Sequence, residues 1–254
     1  MSNVTNPLLD AWRAGRPTVG LWCTMAGAFQ AELAAAQGYD YLCLDQQHGM
    51  IDDGQIPGMA AGTSGRGAAV VIRTPGNEAW QIMKALDSGA HGVIIPMVNS
   101  GAEAARAVAA CRYPPTGIRS YGPSRAAVVH ETAEPRALEA VACIPMIETA
   151  GGLDNVDEIV TTAGVDCVYV GPSDLSFALG MEPAQALGTA AHEDAIALVL
   201  DSCRRHGVTA GIQCPDGATA KRRLDQGFQM VSAGGDAPLF RRVLGHELAI
   251  ARGR

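Results

Sequence analysis

Apolar stretches rich in Val, Ile, Leu and Met alternate with helix-like segments along the 254-residue sequence. These stretches do not alternate apolar with polar residues, which is typical of parallel strands buried on both faces. The eight predicted strands cover residues 18–25, 39–44, 68–72, 91–98, 142–147, 165–170, 208–214 and 229–233. Strand–helix repeats of this number close most economically into a (β/α)8 TIM barrel, which usually takes about 250 residues.

Segments with helical spacing or an Ala-rich composition separate the strands, and several end at Gly or before Pro. The predicted helices cover residues 1–17, 29–37, 52–64, 77–86, 102–111, 190–206, 218–226 and 237–251. We expect the leading helix to cover one end of the barrel. No linker or low-complexity tract divides the chain, so we predict a single α/β domain over residues 1–254.

Residues 113–134, YPPTGIRSYGPSRAAVVHETAE, are interrupted by Pro and Gly and show no regular pattern. Irregular segments of this length are uncommon in compact domains unless they have a function. We therefore expect this segment to contact a substrate or another subunit.

Composition excludes several classes of protein. The formal net charge of −7 argues against a nucleic-acid partner, which requires concentrated Lys and Arg. No apolar run approaches the roughly 18 residues of a membrane span, and the N-terminus lacks the apolar core of a signal peptide, so we expect a cytoplasmic protein. The seven cysteines include no CxxC pair, so neither a zinc site nor a disulfide framework is predicted.

Polar residues stand where predicted strands end. Glu148 follows the fifth strand and Asp174 follows the sixth, while Asp45 and His48 follow the second and Arg73 ends the third. The carboxyl ends of parallel strands converge on one rim, where α/β folds carry out chemistry. We expect these side chains to meet there.

The residue types at this rim indicate a metal-assisted reaction. Two carboxylates without a neighbouring Cys or His ligand favour a hard cation such as Mg²⁺, Mn²⁺ or Co²⁺. Such a cation with open positions, together with Arg73, places positive charge where an enolate develops negative charge. His48 lies three residues after Asp45 and could act as a general base whose imidazolium form the carboxylate stabilises.

Each of these residues also has a structural interpretation that the sequence leaves open. Glu148, Asp174 and Asp45 could cap helices, His48 could be a turn residue and Arg73 could form a surface ion pair. The GTSGRG run at residues 62–67 precedes a strand instead of opening a helix, so we interpret it as a turn and not as a phosphate loop.

Six motifs in order and spacing resemble the HpcH/HpaI aldolase family of metal-dependent class II pyruvate aldolases, which includes 4-hydroxy-2-oxoheptanedioate aldolase. They are DQQHG, VIRTPG, GVIIPMV, YPPTGIRSYGP, PMIET and VYVGPSDLSFALG, and the resemblance covers residues 18–236. It implies a (β/α)8 barrel. It also implies a homo-oligomer, a hexamer of paired trimers or a trimer, whose last helix is exchanged between neighbouring subunits.

The resemblance assigns roles to individual residues. Glu148 and Asp174 match the two protein ligands of the divalent metal, and Arg73 matches the arginine that contacts the pyruvate oxygen and stabilises the enolate. His48, paired with Asp45, matches the residue implicated in proton transfer at the aldol hydroxyl, a role that a metal-bound water can share.

The remaining positions concern substrate contacts. The backbone of Gly171, Pro172 and Ser173 matches the segment that holds the pyruvate carboxylate, and Trp22 matches a position lining the aldehyde pocket. Two departures affect the acceptor side, because many relatives have Glu at Gln47 and Gln at Met146. The loop with Arg119 and Arg125 also differs from the GxRG form of relatives, which suggests contact with a different second substrate.

The predicted function is cleavage of a 4-hydroxy-2-oxo acid to pyruvate and an aldehyde through a metal-bound pyruvate enolate, and the reverse addition. No Schiff-base lysine is needed, and the only lysines, Lys84 and Lys221, lie on predicted helices away from the rim. Two alternatives remain. One is a CoA-thioester lyase of the citrate-lyase β-subunit type, for which the sequence lacks a basic CoA-binding surface. The other is a barrel that serves only in binding or assembly.

Overall fold

Eight parallel strands close into a barrel in chain order, β1 to β8. The structure is a computed structural model that describes residues 5–254, so the first four residues of the predicted leading helix lie outside the described residues. The strands are β1 Thr18–Cys23, β2 Tyr41–Asp45, β3 Ala69–Arg73, β4 Gly92–Ile95, β5 Ala142–Ile147, β6 Cys167–Val170, β7 Thr209–Ile212 and β8 Met230–Gly235. The predicted single-domain (β/α)8 TIM barrel is confirmed.

Helices surround the barrel. They are α1 Pro7–Arg13, α2 Ala28–Ala35, α3 Ile56–Gly62, α4 Ala79–Asp87, α5 Gly101–Cys111, α6 Ser124–Val129, α7 Ala150–Asp154, α8 Val156–Thr161, α9 Pro172–Ala178, α10 Pro183–Ala186, α11 Ala190–His206, α12 Gly217–Gln226 and α13 Asp236–Ala251. A 3₁₀ helix covers Ala137–Glu139. None of the helices in residues 5–254 combines the length and the apolar character needed to cross a membrane.

Alternation along the strands decides which side chains enter the barrel. On β2, Tyr41 and Cys43 belong to the interior cluster, whereas Leu42 and Leu44 pack against the surrounding helices. The same period of two on the neighbouring strands turns Arg73 and Glu148 inward at the carboxyl ends of β3 and β5. Strand pairing places Asp45 directly beside Arg73.

The amino-terminal end of the barrel is closed by α1, as predicted. Leu8 and Trp12 are buried in the interior cluster, and the indole N–H of Trp12 donates to the hydroxyl of Thr18, at 3.1 Å. Asn6 caps α1, and its side-chain amide donates to the carbonyls of His91 and Ala140, which precede β4 and β5. The opposite, carboxyl-terminal end of the barrel is not covered by this helix.

Two predicted elements, the fourth strand and the third helix, are shorter in the structure than in the sequence prediction. The fourth strand ends at Ile95 because Pro96 has no N–H to donate and Met97 takes a left-handed conformation, with φ of 59°. The third helix begins at Ile56, because the Asp52 carboxylate accepts hydrogen bonds from the N–H groups of Gly54 and Gln55 and holds the preceding residues in a turn.

The segment 113–134 connects α5 to β5 and therefore lies at the amino-terminal end of the barrel, away from the rim on which the predicted site residues lie. It also contains α6, which the sequence did not predict. The Arg119 guanidinium donates to the Leu138 carbonyl and to Asp87, and that of Arg125 donates to the Ser88 carbonyl. The prediction that these arginines contact a second substrate is wrong for the rim of the same subunit, because both serve local packing.

Candidate active site

A cavity of about 170 Å³ opens at the carboxyl end of the barrel. It brings together residues at or just after the carboxyl ends of β1, β2, β3, β5, β6 and β7. Its lining consists of Trp22, His48, Arg73, Met146, Glu148, Gly171, Pro172, Ser173, Asp174 and Gln213. All predicted site residues except Asp45 line this cavity.

Asp45 is fully buried and positions Arg73. The Nε of Arg73 donates to Asp45 Oδ1 at 2.8 Å, and Nη2 donates to Oδ2, which makes a two-pronged ion pair. Burial alone would raise the pKa of Asp45, but the Arg73 guanidinium and the hydrogen bonds from His48 and Trp22 lower it overall. Arg73 Nη1 forms no hydrogen bond with a described residue, so this nitrogen is left to meet a ligand.

The structure corrects the predicted relation between Asp45 and His48. Asp45 Oδ1 accepts a hydrogen bond from the backbone N–H of His48 at 3.2 Å, and the imidazole ring has no hydrogen-bond partner among the described residues. The carboxylate is already engaged by Arg73, by the backbone N–H of Gln47 and by the Trp22 indole. It therefore orients the loop that carries His48 and not the imidazole itself.

Trp22 forms one wall of the cavity. Its indole N–H donates to Asp45 Oδ2 at 3.2 Å, and its ring lies 4.8 Å from the Cζ of Arg73. A cation over an aromatic face is attracted by the ring quadrupole, so this contact further restricts the guanidinium. The ring also packs against Tyr169, with 5.7 Å between centroids.

Glu148 is 2% exposed and has one hydrogen bond, which Met97 N–H donates to Oε1 at 2.8 Å. The other oxygen, Oε2, faces Gly171, where a Cβ atom would lie only 2.5 Å away. Burial, together with the charges of Asp174 and Asp45, raises the pKa of Glu148 to about 7, although the hydrogen bond from Met97 and the charge of Arg73 act in the opposite direction. The positive charge of Arg73 therefore does not offset the burial of this carboxylate.

Asp174 occupies the first turn of α9 and is partly exposed. Its carboxylate accepts no hydrogen bond from a residue within 5–254. In the same turn, Pro172 has no N–H and the N–H of Gly171 donates to the Ile147 carbonyl at 3.1 Å. The N–H groups left free are those of Ser173 and Asp174, so Gly171 contributes space instead of a hydrogen bond.

The two carboxylates fit a divalent cation. Both line one cavity, their charges repel each other, and three of their four oxygens accept no hydrogen bond from the described residues. Within residues 5–254, no cluster of three or more His, Cys, Asp or Glu side chains is arranged to hold a metal. Oxygen ligands of this kind suit Mg²⁺, Mn²⁺ or Co²⁺, and a set of two leaves positions for substrate oxygens.

Gln213 was missed by the sequence analysis although it follows β7 directly, the same position that identified the other rim residues. Its Nε2 donates to the Cys214 carbonyl at 3.2 Å, so its Oε1 is the atom available to a ligand. Met146, noted as a departure from many relatives, lies on the cavity floor beside Gly171. Gln47 does not line the cavity, and its Oε1 is buried without a partner among the described residues.

His192 supports the cavity from outside. It is 1% exposed, and its Nε2 lies 2.8 Å from the Pro172 carbonyl, at the start of α9. Its burial and its place on α11 indicate a structural role.

Comparison with known proteins identifies the family to which this chain belongs. A model of the HpcH/HpaI aldolase/citrate lyase family matches residues 18–242. The hydroxypyruvate/pyruvate aldolase of Rhizorhabdus wittichii is 37% identical over 248 residues, which are 97% of this chain and 99% of that protein. The 5-keto-4-deoxy-D-glucarate aldolase of Klebsiella pneumoniae is 35% identical, over 93% of both proteins.

The fold agrees with these sequence relationships. A crystal structure of an HpcH/HpaI aldolase/citrate lyase family protein from Burkholderia cenocepacia has a TM-score of 0.91 at 31% identity, and the match covers 98% of this chain and 100% of that one. The family match extends over most of the barrel and includes every residue of the cavity. The chain therefore belongs to the HpcH/HpaI aldolase/citrate lyase family of carbon–carbon lyases.

Proposed function

We propose that this chain is a divalent-metal-dependent aldolase that cleaves 4-hydroxy-2-oxo acids to pyruvate and an aldehyde, and catalyses the reverse addition. The observation that carries the proposal is that Arg73, held by Asp45, lies in one small cavity with the carboxylates of Glu148 and Asp174, three of whose four oxygens accept no hydrogen bond from the described residues. The names of the relatives, which act on pyruvate, hydroxypyruvate and a keto-deoxy sugar acid, favour a 2-oxo acid at this site.

Arg73 is suited to the charge that develops during cleavage. When the C3–C4 bond breaks, its electron pair forms the enolate and negative charge accumulates on the C2 oxygen. The free Nη1 of Arg73 donates a hydrogen bond to this oxygen, and the ion pair with Asp45 fixes the direction of that bond in advance. A divalent cation held by Glu148 and Asp174 would supply Lewis-acid polarisation of the same 2-oxo group.

The substrate carboxylate is proposed to bind at the first turn of α9. The free N–H groups of Ser173 and Asp174 offer two donors, and the absence of a side chain at Gly171 lets a ligand approach the backbone. Trp22 and Met146 provide apolar contacts and exclude water from the reacting carbons. These contacts hold the scissile bond near Arg73.

His48 is proposed to accept the proton of the C4 hydroxyl. It lies exposed at the mouth of the cavity, where the aldehyde portion of the substrate leaves. The electrons of the O–H bond then form the aldehyde carbonyl as the C3–C4 bond breaks. In the reverse direction the same imidazole returns the proton to the new alkoxide.

The exposed apolar residues of α13 support the proposed homo-oligomer, a hexamer or a trimer with this helix exchanged between neighbours. Asp236 is the only residue of the sixteen in α13 that is buried in the single chain. Phe240 and Leu244 are 55% and 53% exposed. Soluble proteins seldom leave such a continuous apolar helix face uncovered.

The first test is ¹H NMR of pyruvate in D₂O with Mg²⁺ or Mn²⁺, because deuterium enters the methyl group only if an enolate forms. We expect exchange that a chelator abolishes and that Glu148→Gln lacks. Aldehyde acceptors would then be screened with pyruvate and hydroxypyruvate as donors. Folded wild-type protein without exchange under any divalent metal would contradict the proposal and favour a CoA thioester as substrate.

A further inference from the structure

We propose that Asn99 is a positioning residue for Glu148, through the backbone of Met97. The side-chain amide of Asn99 holds Met97 in the conformation in which its N–H reaches the Glu148 carboxylate. The inference rests on the proposed role of Glu148 as a metal ligand, and it adds a residue that lies outside the cavity lining.

Met97 has an unusual backbone conformation for a residue with a side chain. Its φ is 59°, in the left-handed region that favours glycine. Burial of the side chain does not explain this conformation, because the side chain is 49% exposed. The conformation does direct the N–H of Met97 to Glu148 Oε1 at 2.8 Å, the only hydrogen bond that a described residue donates to this carboxylate.

Asn99 contacts the chain on both sides of this hydrogen bond. Its Nδ2 donates to the Met97 carbonyl at 2.7 Å, and within residues 5–254 no other hydrogen bond reaches that carbonyl. Its Oδ1 accepts a hydrogen bond from the hydroxyl of Thr149, the residue that follows Glu148. One amide therefore holds the peptide that follows the donor residue Met97 and contacts the residue that follows the acceptor Glu148.

The position of Asn99 is fixed by hydrogen bonds of its own backbone groups. Its N–H donates to the Glu103 carboxylate at 2.7 Å, and its carbonyl accepts a hydrogen bond from Asn155 Nδ2 at 2.8 Å. Gly151 passes close by, since a Cβ there would lie 3.3 Å from Asn99 Oδ1. With these contacts in place, the amide of Asn99 has little freedom to turn away from Met97.

Removal of the amide would release the strained peptide. Met97 would relax toward negative φ, its N–H would turn away, and the Glu148 carboxylate would lose its single fixed donor. A carboxylate that samples several orientations binds a metal more weakly than one held in place. Asn99→Ala should therefore weaken metal binding although Asn99 itself touches neither metal nor substrate.

The test is a titration with Mn²⁺ followed by electron paramagnetic resonance, on wild type, Asn99→Ala and the control Ser100→Ala. We expect Asn99→Ala to bind Mn²⁺ about tenfold more weakly than wild type. Ser100 caps α5, its Oγ accepting from the N–H of Glu103 at 3.2 Å, and no hydrogen bond joins Ser100 to Met97 among the described residues. Ser100→Ala should lose thermal stability and keep its Mn²⁺ affinity.

A second substitution separates positioning from general destabilisation. Glycine adopts positive φ without strain, so in a Met97→Gly background the peptide no longer depends on Asn99 to the same degree. The loss of Mn²⁺ affinity caused by Asn99→Ala should then fall to about threefold or less. A purely structural role of Asn99 would not be rescued by glycine at a neighbouring position.

Nuclear magnetic resonance of ¹⁵N-methionine-labelled protein gives a metal-free readout. We expect the Met97 amide to exchange with solvent at least about tenfold faster in Asn99→Ala, because its hydrogen bond is lost. An unchanged Met97 amide, unchanged Mn²⁺ affinity, equal loss in Ser100→Ala, or no rescue by Met97→Gly would each overturn the inference. Wild-type protein that binds no Mn²⁺ and exchanges no pyruvate methyl protons with any divalent metal would overturn the proposed function, while the Met97 amide would still decide whether Asn99 positions Glu148.

Discussion

At the scale of single residues, the Glu148 carboxylate should destabilise the metal-free protein at neutral and higher pH although it is needed to bind the metal. In the metal-free protein its pKa is about 7, above the ordinary value of 4.5 that applies in the unfolded chain. A raised carboxyl pKa contributes stability that is complete below pH 4.5 and is lost as the pH rises through 7. Glu148→Gln carries no such charge, so we expect metal-free Glu148→Gln to be more stable than wild type by about 1–3 kcal/mol at pH 8.

Urea unfolding of chelator-treated protein at pH 8 and pH 5 measures this difference. The advantage of Glu148→Gln should shrink toward zero at pH 5, and the variant should bind no Mn²⁺ at either pH. A variant that is less stable than wild type at pH 8 would show that the carboxylate is compensated by contacts within the protein.

Substitutions of Asp45 and His48 should have different effects on catalysis. Asp45→Asn removes the two-pronged partner of Arg73, so we expect kcat/KM for aldol cleavage to fall about 100-fold. Because Asp45 meets the backbone of His48 and not its ring, the pH profile of Asp45→Asn should keep the limb that His48→Asn loses. If both variants lost the same limb, Asp45 would act through the imidazole after all.

The sequence predicted most of the site because strand ends and a period of two determine which residues face the barrel mouth. Gln213 obeys the same rule and could have been found by it. That Asp45 pairs with Arg73 could not have been predicted in this way, because the pairing depends on the register of β2 against β3. The role of Met97 could not either, since its left-handed backbone results from contacts with Asn99 and Glu148.

At the scale of elements, the order and type of the strands were predictable, and the segment between α5 and β5 was not. Its shape depends on buried Arg119, which stacks on Tyr113 with the Cζ 4.7 Å from the ring centroid. A buried arginine can be inferred only once its partners are placed. The same limit applies to α6, whose one buried residue, Ala126, joins the small cluster with Tyr113 and Leu138.

The last helix should decide the oligomeric state. Phe240, Leu244 and Leu248 recur every four residues and form one exposed apolar stripe on α13. We expect Leu244→Asp to reduce the mass measured by light scattering from several chains to one. Arg241→Asp, which alters the charge at an exposed position of the same helix, should keep the wild-type mass. A monomeric wild type would refute the proposed assembly.

At the scale of the whole molecule, the two ends of the barrel have different physical tasks. At the carboxyl end, burial raises the pKa of Glu148, so the proposed divalent cation would stabilise this carboxylate. The amino-terminal end is closed by α1 and contains His91 and His130, whose rings meet edge to face at 5.3 Å between centroids. Neither histidine lines the cavity of the proposed active site, so we expect their protonation to affect the stability of the fold.

His91 should therefore contribute to acid unfolding from the end opposite the site. Burial, with smaller contributions from His130 and Arg125, lowers its pKa from 6.5 to about 4, and only the hydrogen bond that Val70 N–H donates to Nδ1 acts in the opposite direction. The unfolded chain takes up this proton near pH 6.5, so the contribution to stability is complete above that pH and is lost as the pH falls through 4. It amounts to about 3 kcal/mol at most.

We expect His91→Asn, whose Oδ1 can accept the same hydrogen bond, to lack this loss. Because Glu148 changes metal-free stability in the opposite sense over the same pH range, the informative quantity is the difference in unfolding free energy between wild type and His91→Asn. Urea titrations at pH 7 and pH 4.5 should show this difference move in favour of the variant as the pH falls. If the difference in unfolding free energy stayed constant with pH, protonation of His91 would not destabilise the folded protein.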